Sequence, residues 1–302
     1  MNTNLKIVSF GEILFDIFGN EKKVGGAPLN VALRVASFGF PSGIISAVGN
    51  DENGRELLKF IKENNLPTSA VLCNTEHPTG VVQVTLNDKG SATYEICYPS
   101  AWDFIKMTDE VKEELRDADV LVYGSLVSRD PTSRNTLHSI LQHYPKLYKV
   151  MDVNLRKPHY TYDNLLKLMQ SADFIKLNDE EVLELAEAYG GVANSLEEAI
   201  TFLARKTGTD AVCVTRGKHG SILYWENQFY YHDGYEVKVA DTVGAGDSFL
   251  AALLTKLLVN KNPQEALDFA SAVGALVATY TGANPKISIT EIENFLKTEP
   301  KL

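Results

Sequence analysis

No run of apolar residues in this 302-residue chain approaches the ~18 that a membrane-spanning helix needs. The opening MNTNLKIVSFGEILFDIFG has one Lys, a strand-like alternation and no small-residue cleavage site of a secretory leader. Cations are in deficit: 29 Lys and Arg stand against 39 Asp and Glu, a formal charge of −10. A nucleic-acid footprint needs Lys and Arg clustered on one face, so that balance argues against one. Cysteine is scarcer still. Cys73, Cys97 and Cys213 are odd in number, scattered and set in strand-like patterns, and they read as buried free thiols of a reducing compartment. Repeats, low-complexity tracts and linkers rich in Pro, Gly or Ser are missing as well. These absences point to a cytoplasmic protein with no membrane or nucleic-acid partner. A small anionic ligand stays open, because local N–H groups and one or two cations hold an anion against the global sign.

What is present is an alternation. Apolar residues at 44% and charged ones at 23% are ordinary for a globular chain, and the length suits one large domain with an appendage. The runs KIVSFGEILFDIF, GIISAVG, DVLVYGSL, KVMDVN, DFIKLN and AVCVTRG read as strands. Between them lie helical patterns: LNVALRVASFG, ENGRELLKFIKENN, TDEVKEELRDA, RNTLHSILQHY, YDNLLKLMQSA, EEVLELAEAYG and LEEAITFLARKTG. Strands spaced by one helix each predict crossovers and a mostly parallel sheet covered on both faces. TGVVQVTLNDKGSATYEICY instead reads as a hairpin around an Asn-Asp-Lys-Gly turn. With residues 12–25 it predicts a small β-appendage spanning segments 12–25 and 79–98. SILYWENQFYYHDGYEVKVAD reads as a second antiparallel patch.

That patch runs into V-A-D-T-V-G-A-G-D-S-F-L, Val239–Leu250, where a strand EVKVAD is predicted to turn through Gly244, Ala245 and Gly246 into the helix DSFLAALLTKLLV. Glycine lets a backbone approach a ligand, and the first N–H groups of a helix are unsatisfied and positively polarised. The turn is therefore an anion site. It is not a Walker A loop, because no Gly-Lys-Ser/Thr follows, and Phe249 stands where a dinucleotide fingerprint needs its third Gly. Asp247 on its own also reads as a helix-opening acid, worth ~0.3–1 kcal/mol against the helix dipole.

The nonapeptide D-T-V-G-A-G-D-S-F closely resembles the C-terminal signature of the ribokinase-like (PfkB-type) carbohydrate kinases, and GGAPLNVA, Gly25–Ala32, resembles their N-terminal signature. G-E-I-L-F-D at Gly11–Asp16, N-D-E-E at Asn178–Glu181 and V-T-R-G-K-H-G at Val214–Gly220 extend the likeness over essentially the whole chain. It implies a single ribokinase-like domain over residues 1–302, an α/β/α three-layer fold with a mostly parallel sheet and a small β-sheet lid. The implied reaction is transfer of the γ-phosphoryl group of ATP, with Mg²⁺, to a primary sugar hydroxyl. Asp247 is then the catalytic base, with Gly244, Ala245 and Gly246 as the anion hole. Asp16, Gly25, Gly26 and Asn30 are implied as sugar contacts, and Arg156 as a cation for the transferred phosphate or else a surface ion-pair partner. Asn178, Thr215, Gly217 and Gly220 are implied on the nucleotide side, with adenine contacts from the helix Leu267–Tyr280. Glu181 is implied as the holder of a metal-bound water. The acid at the helix start is expected to titrate low.

Two departures bear on cofactor and substrate. Family members bind a monovalent cation behind the anion hole; Asp241 and Gly282 match that pattern, but Lys286 stands where Ser is usual, which counts against K⁺. The segment C-Y-P-S-A-W-D, Cys97–Asp103, with G-E-I-L-F-D and D-V-N-L-R, looks most like bacterial fructokinases, making D-fructose the expected acceptor. Trp102 in that segment reads as a rim contact or as loop packing. Ribokinase, adenosine kinase, deoxygluconate kinase and a catalytically silent sugar-binding regulator are the alternatives. A homodimer through the lid is expected if the apolar face of the lid is not covered by its own sheet.

Overall fold

The structure, a computed structural model, describes residues 4–19, 21–86 and 92–298. In chain order the first half holds β1 (Ile7–Phe10), β2 (Leu14–Phe18), β3 (Glu21–Gly25), α1 (Ala27–Ser37), β4 (Ser42–Gly49), α2 (Glu52–Glu63), β5 (Val71–Asn74), β6 (Gly80–Leu86), β7 (Ala92–Ile96), α3 (Asp109–Arg116), β8 (Val120–Gly124), α4 (Pro131–His143) and β9 (Tyr148–Asp152). Then come α5 (Tyr162–Gln170), β10 (Phe174–Asn178), α6 (Asp179–Ala188), α7 (Leu196–Thr207), β11 (Ala211–Thr215), β12 (Ser221–Trp225), β13 (Gln228–His232), α8 (Ala245–Asn260), α9 (Pro263–Ala278) and α10 (Ile289–Thr298).

The apolar runs become the strands of a nine-stranded sheet ordered β13-β12-β11-β10-β9-β8-β1-β4-β5. From β5 to β11 every pairing is parallel, and β12 and β13 close the far edge antiparallel. Continuous apolar sequence suits strands covered on both faces: β1 and β4 are buried at every position. One face packs on α1, α8, α9 and α10 through Val31, Val35, Leu250, Leu254, Leu267, Val273 and Ile292. The other packs on α4 to α7 through Leu137, Leu141, Leu165, Leu168, Val182, Leu185 and Leu203. Helix α8 is apolar nearly all round because it lies between the sheet and α9 and is buried from Ser248 to Thr255.

A separate four-stranded sheet has the order β3-β2-β6-β7, with β2 and β6 parallel. Both expected segments enter it. The expected Asn-Asp-Lys-Gly turn at 87–90, like residue 20, lies outside the described residues. Period-two alternation along β2 puts Leu14, Asp16 and Phe18 on one face, where Leu14 packs with Val82, Val84 and Ile96. Phe15 and Ile17 point the other way, into a cluster with Leu29, Val48, Leu57 and Ile61. At its returning end the small sheet is tied down by Arg129. The guanidinium bonds both carboxyl oxygens of Asp103, at 2.7 and 2.8 Å, donates to the Cys97 carbonyl at 2.7 Å and lies 4.0 Å from the centre of the Trp102 ring.

Several expectations change. EVKVAD is not a strand: Glu236, Lys238 and Val239 are exposed, and only the N–H groups of Ala240 and Asp241 are anchored, both on the Ala278 carbonyl. Its alternation has no buried side to serve. Of the cysteines, only Cys213 is buried; Cys97 is half-buried and Cys73 exposed, and all three are free thiols. Trp102 is 0% exposed, so it packs the base of the small sheet and does not line a rim. Among the described residues no helix is long and apolar enough to cross a membrane.

The Arg129–Asp103 pair is buried, with side-chain exposures of 4% and 0%. Removing one partner leaves an uncompensated charge, so Asp103→Ala should cost about 3–5 kcal/mol in urea unfolding. A loss below about 1 kcal/mol would show that this pair does not secure the small sheet.

Candidate active site

In open α/β sheets the loops after the carboxyl ends of the strands form the binding crevice. Here those ends carry Glu12 after β1, Leu126 after β8, Asp152, Asn154 and Arg156 at β9, Lys176 and Asn178 on β10, and Thr215 on β11. Together with the cleft-facing side of the small sheet and the turn before α8 they enclose a cleft of about 590 Å³.

The turn is built by close approach. Gly244 has φ of 76°, and a side chain there would collide with the backbone of Ala283, so only glycine lets segments 241–245 and 282–284 meet. Asp241 fastens the same two segments: its carboxylate accepts from the N–H of Val243 at 3.1 Å and of Gly282 at 3.0 Å. Gly244 caps α8 with no side-chain bond to the first turn. The N–H of Ala245 is already accepted by the Thr242 carbonyl at 3.3 Å, and Ala245 does not line the cleft. Of the anion hole expected at Gly244, Ala245 and Gly246, Ala245 therefore drops out, while within α8 the N–H groups of Gly246 and Asp247 remain as donors.

Asp247 lines the cleft, and its Oδ2 accepts a 2.8 Å bond from Asn30 Nδ2. Asn30 is 3% exposed on α1 and also accepts from Asn284 Nδ2 at 2.6 Å. Both ends of this amide are engaged, so it orients the acid. One turn further, Arg34 Nε bonds Ser248 Oγ at 3.1 Å and an Arg34 Nη donates to the Pro285 carbonyl at 3.1 Å, holding α1 against α8. Burial pushes the Asp247 carboxyl up to about 6; Asp152 adds repulsion, while Asn30, Lys176 and Arg156 oppose it. The helix start was expected to lower it. Burial wins because the first turn of α8 sits inside the cleft.

Beneath Gly246 lies Lys176. It pairs with Asp152 on the neighbouring strand at 2.9 and 3.0 Å, the two being register partners in β10 and β9. Burial disfavours the ammonium, but Asp152 outweighs it and Lys176 titrates above its ordinary value. This pair was not singled out from the sequence. The signal was a charged residue set next to buried apolar ones in each of two strands, Lys176 in FIKLN and Asp152 in KVMDVN.

At one end of the cleft are the residues expected to hold a sugar. Asp16 is half-buried; burial raises its carboxyl above the usual range against the pull of Arg156 and Lys23. The Asp16 carboxylate overlies Gly25, where a Cβ would collide with it. Gly26 has φ of 111° and caps α1. Arg156 is exposed, lines the cleft and makes no ion pair among the described residues; one Nη donates only to the Leu155 carbonyl, at 3.1 Å. Its alternative as a surface ion-pair partner falls away.

At the other end Asn178 caps α6, accepting from the Glu181 N–H at 2.8 Å while Glu181 accepts from the Asn178 N–H at 2.9 Å. The second Glu181 oxygen accepts from the Leu155 N–H at 2.7 Å. Burial raises the Glu181 carboxyl against those bonds and the attraction of Lys176. Thr215 lines the cleft; Gly217 and Gly220 lie in the turn between β11 and β12, outside its lining. Glu12 and Asn284 were also missed as site residues, and nothing in the sequence of the loop TGANPK marks Asn284.

Residues 4–290 match the pfkB family of carbohydrate kinases. A probable fructokinase-5 of Arabidopsis thaliana is 31% identical over 99% of each chain, and a fructokinase of Salmonella typhimurium is 28% identical over 93% of this chain and 95% of its own. A solved double mutant of Vibrio cholerae fructokinase, bound to fructose, ADP and potassium ion, superposes with a TM-score of 0.84 at 24% identity, covering 98% of this chain and 99% of that one. A signature pair at opposite ends of the sequence, an acid and a glycine turn in one cleft and a full-length match agree: the chain belongs to the pfkB family of carbohydrate kinases, and it is a sugar kinase.

Proposed function

We propose that this chain transfers the γ-phosphoryl group of ATP to a primary hydroxyl of D-fructose. The observation that carries the reading is Asp247 held by Asn30 beside the two unspent N–H donors of α8, in the same cleft as Asp16. Fructose is favoured by the two curated relatives described above, one named a probable fructokinase and the other a fructokinase.

Asp16 accepts two sugar hydroxyls, and the Gly25–Gly26 turn makes the floor under the ring. Asn30 aims Asp247 at the attacking hydroxyl. As the new O–P bond forms, the bond from the γ-phosphorus to the bridging oxygen breaks and ADP departs. The hydroxyl proton passes to Asp247. Charge in this loose transition state spreads over the equatorial oxygens; the N–H groups of Gly246 and Asp247, Arg156 and the buried Lys176 face it. Asn178, Thr215, Gly217 and Gly220 serve the nucleotide, with α9 beside the adenine.

When bound with ATP, Mg²⁺ would supply charge neutralisation for the transferring phosphoryl group. Glu181, fixed by two backbone N–H groups, is the carboxylate placed to accept from a metal-bound water. Among the described residues no cluster of three or more Asp, Glu, His or Cys could hold a metal ion. Asp241 marks the monovalent-cation position, but with its oxygens bonded to two N–H groups and Lys286 in the adjoining loop, kcat should be unchanged when Na⁺ replaces K⁺. The small sheet acts as a lid: Leu14, Val82 and Ile96 face the sugar and exclude water. Tyr94, 58% exposed on the edge strand β7, leaves that sheet open to a second copy. Sedimentation at micromolar concentration should give a dimer, and a purely monomeric boundary would remove it.

In a coupled ADP-release assay, kcat/KM for fructose should exceed that for ribose and adenosine by about tenfold or more, about 1.4 kcal/mol of discrimination. The reverse order would overturn fructose and leave the kinase. Asp247→Asn should lower kcat by ~10²–10⁴-fold while calorimetry still shows sugar binding. Near-normal turnover would defeat the assigned base. The base must be ionised to accept a proton, so kcat/KM should fall as pH drops through about 6, and a profile flat down to pH 5 would contradict the raised Asp247.

A further inference from the structure

Glu12 is a carboxylate in the cleft to which the reaction above gives no task. It lies in the segment joining β1 to β2, four residues before Asp16. It is 5% exposed, and its Oε2 has no hydrogen-bond partner among the described residues. Burial pushes its carboxyl up to about 7; its own backbone N–H, Arg156 and Arg129 oppose that shift, and Asp247 adds to it. A buried carboxyl oxygen with no donor is a standing cost to the fold, and such groups concentrate where a bound molecule completes them.

The surroundings identify that molecule. Glu12 lines the cleft together with Asp16, Gly26, Asn30 and Asp247. A Cβ on Gly26 would collide with the Glu12 carbonyl, so the Gly25–Gly26 turn packs directly on the Glu12 backbone. On its other side Glu12 closes a cavity of about 10 Å³, room for one water, with Ser125, Asp152 and Asn154 among its lining residues. Glu12 is thereby part of the lining that the cleft shares among Asp16, Asn30 and Asp247.

We propose that Glu12 is a further sugar-binding residue, its unpaired carboxylate oxygen accepting a hydroxyl that neither Asp16 nor Asp247 takes. This rests on the assignment of the cleft to a sugar. An acceptor of this kind is a specificity element: a site built to bond a hydroxyl rejects an analogue that lacks it more strongly than an apolar pocket rejects a size change.

The test uses calorimetry at pH 8, where the carboxyl is ionised, on the wild-type chain, Glu12→Gln and Glu12→Ala, with fructose, the set of monodeoxyfructoses and ATP. Both variants should weaken fructose by about tenfold or more with ATP affinity unchanged. One monodeoxyfructose should bind the wild-type chain poorly yet bind Glu12→Ala as well as fructose does. Fructose affinity unchanged in both variants overturns the proposal and makes Glu12 a buried acid serving the small cavity. Equal losses for fructose and ATP, or deoxy penalties identical in wild type and Glu12→Ala, overturn it in favour of a structural role. A wild-type chain that binds ATP but no sugar defeats the assignment of the cleft, and this proposal with it.

Discussion

A side-chain bond from Asn30 to Asp247, residues 217 positions apart, ties two helices together, and the site depends on it. Asn30 comes from the N-terminal signature and Asp247 from the C-terminal one. Their contact requires α1 and α8 to lie side by side on the same face of the sheet, which the apolar positions of both helices enforce. Arg34, one turn along α1, bonds Ser248, the residue after Asp247, so the two helices are held at two points. The amide also explains how an acid partly removed from water keeps a defined direction: its remaining oxygen accepts from no other described group and is left for a hydroxyl.

The electrostatics of the cleft are a balance struck locally. Glu12, Asp16, Asp152, Glu181, Asp241 and Asp247 all line a space meant for a polyanion, against Lys23, Arg156 and Lys176. Part of the excess is removed by pairing, as between Lys176 and Asp152, and part by backbone N–H groups, as at Glu181 and Asp241. Where neither is available, burial raises the carboxyl instead, as it does for Glu12 and Asp247. Backbone dipoles and paired side chains thus do part of the neutralising that free cations do elsewhere, and this fits a chain with a formal charge of −10.

Much of the fold was legible because parallel strands advertise themselves as unbroken apolar runs and helices as 3.6-residue patterns. EVKVAD failed since alternation says nothing about whether a neighbouring strand exists. The site was legible where chemistry resides in a contiguous peptide, as at Asp241–Asp247 or Gly25–Asn30. It was illegible where two elements create it. Lys176 and Asp152 matter through strand register, Asn284 through its reach to Asn30, and Glu12 through the walls around it. The titration of Asp247 was misjudged for the same reason: sequence reveals the helix start, but depth belongs to the folded chain.

The strand that ends beneath the cleft continues, after three residues, as the strand that carries Asp16 over it. No hinge of any length separates the two sheets at that crossing. A displacement of the small sheet therefore carries Asp16 away from Asp247, which is rooted in α8. On the proposed reading, covering the substrate and gripping its far hydroxyls would be a single act, because the sheet that would cover the cleft is the one that carries Asp16.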